Sequence, residues 1–274
     1  MFDVLVHASN YATPTRGMHY AADVARLFGS SLTGIFVSEP IVPISPVGIT
    51  PVVPEIYAAA AEVVNEALKA EPKFHEWAAS AGLAQHQWRV ATGFFSAALA
   101  AAANWHDVLV LESGTGMPWS SVGMLGHALV NCGVPCFVVP ETYARPTGFD
   151  SIAIASHGSP EAARAVHAAL PLLKRAQRIV LLKGRPHESF SAVDLRPAFS
   201  VENHLERHGL QFSTRNLDDA NEHIGAAMLA AATDANADVL VMGCYGRARF
   251  SEWILGGATR HVLEHARLPL FMRH

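Results

Sequence analysis

The chain has 274 residues, half of them hydrophobic and 16% charged, with a net charge of -4 when histidine is neutral. That length fits one large domain or two ordinary ones, the apolar share can bury a core, and the charge balance excludes a strongly basic face for nucleic acid. Three cysteines exclude a disulfide framework and suit a reducing cytoplasm, and no run of about 18 apolar residues free of charge and proline reads as a membrane span.

The chain opens Met1-Phe2-Asp3-Val4, without the basic region and apolar run of a signal peptide. Val4-Leu5-Val6 then begins a first strand. Tyr20, Val24, Leu27 and Phe28 fall on one face of a following helix. Residues 41–54, rich in Pro, Val and Ile, have no counterpart later in the chain. They read equally as a partner surface, a pocket lid or a plain cover over core. Tyr57, Ala61, Val64 and Leu68 predict the apolar face of a second helix. Asp107-Val108-Leu109-Val110-Leu111 and Val134-Pro135-Cys136-Phe137-Val138 are continuous apolar strands, the pattern that burial on both faces of a parallel sheet demands.

These landmarks return in the same order. Phe149 to Ser156 echoes Phe2 to Ser9, Asp238 to Met242 echoes Asp107 to Leu111, and Leu268 to Met272 echoes Val134 to Val138. In the second copy, Ser159-Pro160-Glu161 is a helix start: a hydroxyl N-cap, a proline at the first position and an acid in the first turn. Val166, Leu170 and Leu173 follow on one face, with Pro171 placed to kink the helix. Ile224, Ala227, Met228 and Ala231 mark the next helix. Pro140 to Gly148 has linker composition, so two domains are expected, 1–147 and 148–274. Each half reads strand, helix, strand, helix, strand, helix, strand, glycine loop, helix, strand. Right-handed crossovers turn that into an α/β fold with two doubly wound, five-stranded parallel sheets.

The chemistry concentrates after the fourth strand of the second half. Gly243, Gly246, Gly256 and Gly257 lack side chains that would keep backbone N–H groups from an anion, and a helix N-terminus adds unsatisfied donors. Thr259 offers a hydroxyl and Arg247 a charged donor to a phosphate. This stretch resembles the universal stress protein family, whose nucleotide-binding members carry G-x2-G-x9-G-[ST]. Gly243, Gly246 and Gly256 match; Gly257 stands where serine or threonine is usual, with Thr259 two residues on. The acid that usually ends the family's first strand is replaced by Ser156-His157 in one half and His7-Ala8 in the other.

The resemblance covers nearly the whole chain. It implies an adenine nucleotide alpha hydrolase-like fold with the halves packed as a pseudo-dimer through their last strands, and a cytoplasmic stress-response or regulatory role. It also implies ATP or another adenine nucleotide in the C-terminal half, against the glycines, Arg247, Thr259, Ser156 and the backbone near Leu182 and Lys183. The first half's loop, Glu112 to Gly123, fails the spacing, and Glu112 replaces its first glycine. A carboxylate there repels phosphate, so that site reads as degenerate. Two alternatives stay open: a nucleotide-free interaction module, and a weak ATPase. No dedicated catalytic set is legible.

His261 to His265 matches H-x-x-E-H, but it follows the phosphate loop and reads as an ordinary helix rather than a metal site. His204 and His208 read as a solvated helix face. Cys132 and Cys136 have ligand-like spacing but read as core, and Cys244 reads as an exposed loop thiol, a bystander with a redox role as the alternative.

Overall fold

The computed structural model describes residues 3–40, 54–114, 122–184, 199–217, 224–244 and 256–274. Among them the first half runs β1 (Val4–His7), α1 (Arg16–Phe28), β2 (Leu32–Ser38), α2 (Pro54–Lys69), α3 (Glu71–Ser80), β3 (His86–Thr92), α4 (Phe95–Ala103), β4 (Val108–Ser113), α5 (Val122–Asn131) and β5 (Cys136–Pro140). The second runs β6 (Ser151–Ser156), α6 (Pro160–Leu173), β7 (Arg178–Lys183), α7 (Val201–Arg207), β8 (Ser213–Asn216), α8 (Ile224–Asp234), β9 (Val239–Gly243), α9 (Gly257–His265) and β10 (Leu270–Arg273). The residues 41–53 of the Pro-rich insertion lie outside the described residues.

All these strands join one sheet, ordered β3-β2-β1-β4-β5-β10-β9-β6-β7-β8. Inside each half every pairing is parallel, and the two halves have the same internal order. The exception is the seam, where β5 and β10 run antiparallel. There Phe271 lies level with Phe137, its equivalent in the repeat, and their rings meet edge to face at 4.9 Å. Each half thus presents the same residue to the other, as a two-fold interface requires. The expected last-strand contact is internal to the chain.

The pairing shifts one landmark of the repeat. Val4 is level with Val108 and Ile152 with Val239, so Val4 corresponds to Ile152 rather than to Ser151. The identical Phe-Asp and Ala-Ser ends of the two segments align as text, but the strands align by which residues face which layer. Val4 and Val6 share a layer with Ile152 and Ile154, whereas Leu5 shares the other with Ala153.

Helices cover both faces, as a parallel sheet needs. Residues of α1, α3, α6 and α7 pack on one layer, and residues of α4, α5, α8 and α9 on the other. Two expectations about the first half are corrected here. It carries two helices, α2 and α3, between β2 and β3, where one was expected. And the face of α2 named by Tyr57, Ala61, Val64 and Leu68 is not its docking face: Tyr57 is 56% and Leu68 53% exposed, while Ala67 is buried. Ala67 instead gives its carbonyl to Trp88 Nε1 at 2.8 Å. The bulk that covers β2 and β3 comes from α3, whose Phe74 ring lies 5.1 Å from that of Trp88; a Cβ at Gly34 would meet the Phe74 ring at 2.6 Å. Pro171 sits within the last turn of α6, which continues to Leu173.

The linker is tied down. Arg16 donates to the Arg145 carbonyl at 2.7 Å, Arg145 pairs with Asp238 at 3.2 Å, and Tyr143 and Phe149 are buried.

Candidate functional site at the carboxyl edge of the second half

In each half the sheet reverses its winding at one point: between β1 and β4, and between β6 and β9. Ligands of doubly wound folds bind outside the carboxyl ends of the strands at that point. In the second half Ala155 is level with Met242 and Ser156 with Lys183, so Ser156, Lys183 and Gly243 lie along one carboxyl edge. Ser156 is buried, and its hydroxyl accepts from Gly158 N at 3.4 Å. Lys183 pairs with Glu202 of α7 at 2.5 Å. Leu182 points into the apolar layer that contains α8 and α9 residues, so only its backbone is available for recognition.

The glycines divide by what surrounds them. At Gly243 a Cβ would lie 2.5 Å from Ala162 N and 2.6 Å from Glu161 C. The first turn of α6 sits directly on the strand end, so packing alone demands glycine there. Gly256 and Gly257 differ. Gly256 caps α9 with φ -54°, a value open to any residue, and among the described residues nothing lies within 4 Å of a Cβ at either position. The bare backbone at the start of α9 therefore serves no contact in the described fold. Thr259, in the first turn, is buried. Gly246 and Arg247 lie outside the described residues. Cys244 corrects an expectation: it is buried against the sheet, not exposed, and its backbone N–H bonds Arg273 O at 3.0 Å.

The first half solves the same junction in reverse. Glu112 occupies the position of Gly243, and Gly17 that of Glu161, both at the second position of the first helix after its N-cap. The buried Glu112 carboxylate accepts a short hydrogen bond from Gly17 N, while Thr15 Oγ accepts from Met18 N at 3.4 Å. An internal carboxylate thus takes the positive end of α1. A Cβ on Gly17 would sit 3.0 Å from Glu112 Cβ, so the glutamate on the strand requires the glycine on the helix. In the second half the glutamate is on the helix and the glycine on the strand. Residues 115–121 of the first half's loop lie outside the described residues.

The cavity elsewhere, of about 440 Å³, is lined by Leu27, Thr147, Phe149, Asp150 and Arg175. It opens beside the linker at the amino ends of the strands, the edge opposite to the one where this fold binds ligands. The histidine pairs are packed rather than spread. His261 and His265 stack ring on ring at 4.2 Å. His204 is not solvated, as its sequence neighbours suggested, but buried with its ring 4.1 Å from that of His167. Among the described residues no group of three or more His, Cys, Asp or Glu is arranged to hold a metal ion, and no helix is long and apolar enough to cross a membrane.

The model of the universal stress protein family matches residues 148–273. The C-terminal half is a universal stress protein domain. The whole chain is similar in fold to a universal stress protein from Archaeoglobus fulgidus, at 16% identity and a TM-score of 0.69, covering 99% of this chain and 96% of that one. It is also similar to a functionally unknown protein from Pseudomonas aeruginosa, at 14% identity and a TM-score of 0.55, covering 99% and 92%. At these identities the likeness speaks for the fold, and its end-to-end coverage supports a tandem arrangement of two such domains. No curated protein matches the chain.

Proposed function

We propose that this chain is a stress-response or regulatory protein that binds ATP or a similar adenine nucleotide in its C-terminal domain, and leaves the N-terminal junction to its own glutamate. The observation that carries the reading is the pair Gly256 and Gly257. Among the described residues no packing explains their missing side chains, and they stand at a helix N-terminus where backbone donors suit phosphate. Gly243 and the sequence match at Gly246 complete the family spacing, and Arg247 supplies a charged donor in the same loop. In the first half a carboxylate, Glu112, stands where Gly243 stands in the second and accepts from Gly17 N. Domain limits at 1–147 and 148–274 are part of this reading, as is a cytoplasmic setting.

Calorimetry with ATP and Mg²⁺ tests it. Gly256→Val places a branched side chain in the space assigned to phosphate and abolishes binding, while the far-ultraviolet circular dichroism of the chain is unchanged. Gly257→Ser restores the family's hydroxyl; one added neutral hydrogen bond is worth about 0.5–1.5 kcal/mol, a several-fold gain in affinity. Parental affinity in Gly256→Val removes the loop as the phosphate site. The interaction-module alternative, for which the exposed Tyr57 and Leu68 of α2 speak, then takes its place.

A further inference from the structure

Cys132 directly follows α5 and Cys136 opens β5, with Gly133 at φ +70° turning the chain between them. The two sulfurs lie 3.1 Å apart, and both residues are 1% exposed. Cys132 Sγ also lies 3.3 Å from Val134 O and 3.4 Å from Leu129 O. A disulfide bond of about 2.05 Å needs the sulfurs to approach by roughly 1 Å, within the reach of side-chain rotation on a tight turn. Spacing alone suggested a ligand pair or core; the turn makes them thiol neighbours. We propose that Cys132 and Cys136 form a redox-active dithiol that closes to a disulfide when a hydroperoxide reaches it.

The two thiols are unequal. A hydrogen bond from Cys136 holds the Cys132 thiol below its ordinary range, and the Arg273 charge adds to this, although burial opposes it. Burial and the neighbouring Cys132 push Cys136 well above its range. Cys132 is therefore the attacking sulfur and Cys136 keeps its proton. The Cys132 thiolate attacks one oxygen of the hydroperoxide. The O–O bond breaks, the alcohol or water leaves with the proton shed by Cys132, and a sulfenic acid remains on Cys132. Cys136 sulfur then attacks Cys132 sulfur, the S–O bond breaks, and hydroxide leaves with the Cys136 proton as water. Two electrons pass from the sulfurs to the peroxide, and one disulfide forms. Cys244 stays out of the step, because among the described residues no hydrogen bond joins its sulfur to either thiol, whereas those two lie 3.1 Å apart. Because both sulfurs are covered, the rate follows opening of the turn rather than bulk peroxide at high dose. The pair sits at the seam: Cys136 is level with Met272 of β10, so closure acts where the two halves join.

The test treats the reduced full-length protein with hydrogen peroxide, quenches, denatures and alkylates it, and reads the intact mass. The expected product has lost two hydrogens and alkylates at one sulfur, where the reduced chain alkylates at three. Dithiothreitol restores all three. Cys244→Ser still loses two hydrogens and then alkylates nowhere. Cys132→Ser does not lose them; where that variant fails to fold, Cys136→Ser, expected to stop at oxygen addition on Cys132, replaces it. Three alkylatable thiols after peroxide, oxygen addition without hydrogen loss in the parent chain, or a disulfide containing Cys244 each overturns the proposal.

Discussion

Replacing Gly243 by alanine sets one methyl group against the backbone of α6. The added carbon would lie 2.5 Å from Ala162 N and 2.6 Å from Glu161 C, and both atoms belong to a helical turn that cannot swing aside as a flexible side chain does. Overpacking of this kind costs about 1–3 kcal/mol, and a backbone obstacle puts Gly243→Ala near the upper end. Gly257→Ala is the matched control. It adds the same methyl at an exposed helix start with nothing within 4 Å among the described residues, and gains about 0.4–1 kcal/mol by restricting the unfolded chain. Urea denaturation should therefore separate the two variants by about 3 kcal/mol. A further arm uses the exchange between the halves. Gly243→Glu alone should lose more than Gly243→Ala, and adding Glu161→Gly, which reproduces the Glu112 and Gly17 pairing and removes the Glu161 Cβ that would lie 2.9 Å away, should recover part of that loss. Equal stability of Gly243→Ala and Gly257→Ala, or a double variant no better than its parts, would refute the reasoning that one junction is built in two mirror versions.

His7 at the end of β1 is fully buried, and desolvation pushes its pKa down to about 3 from 6.5. The unfolded chain takes up the proton first, so this group's contribution is intact above pH 6.5, declines as the pH falls and levels off below about 3. By linkage the loss is about 2 kcal/mol by pH 5. His7→Phe keeps a ring against Phe95, now 4.6 Å away, and should flatten that part of the pH–stability curve; an unchanged slope assigns the acid sensitivity elsewhere. At the seam, Phe137→Ala and Phe271→Ala should each cost about 3–5 kcal/mol in chemical denaturation. Because the rings touch, the double variant should cost less than the sum, and strict additivity would show that the rings do not support each other.

Much of the fold was legible because parallel strands buried on both faces announce themselves as uninterrupted apolar runs: β1, β4, β5, β9 and β10 stand in the sequence almost as they stand in the sheet. Edge strands do not. All four residues of β8, Ser-Thr-Arg-Asn, are exposed and polar, held by pairing with β7 and by the Arg215–Asp234 ion pair at 2.9 Å. The face of α2 was misread for a related reason. Helical periodicity marks Tyr57 and Leu68 as apolar neighbours, but docking is decided by what lies opposite. There Trp88 and Phe74 already fill the space and leave room for Ala67. The one-residue shift between β1 and β6 shows the same limit. Matching letters align ends of segments, whereas the sheet aligns faces.

The candidate site was legible as a spacing but not as a set of reasons. From the sequence, the site glycines looked alike, all cleared for phosphate. The structure separates Gly243, glycine because a helix rests on it, from Gly256 and Gly257, where the described fold makes no such demand. Likewise Glu112 reads alone as a charge that repels phosphate. In place it is bonded to the start of α1, the counterpart of α6, and supplies that helix end with an anion from within its own half. Its partner Gly17 lies 95 residues away, and the converse pair is Gly243 with Glu161. No local motif contains both members of either pair, so no window along the chain could show the exchange. The two junctions share strand order and helix position, and among the described residues they differ in where the glutamate and glycine sit and in the backbone left bare before α9. Those are the positions at which the two copies of the fold diverge in chemistry while keeping the same frame.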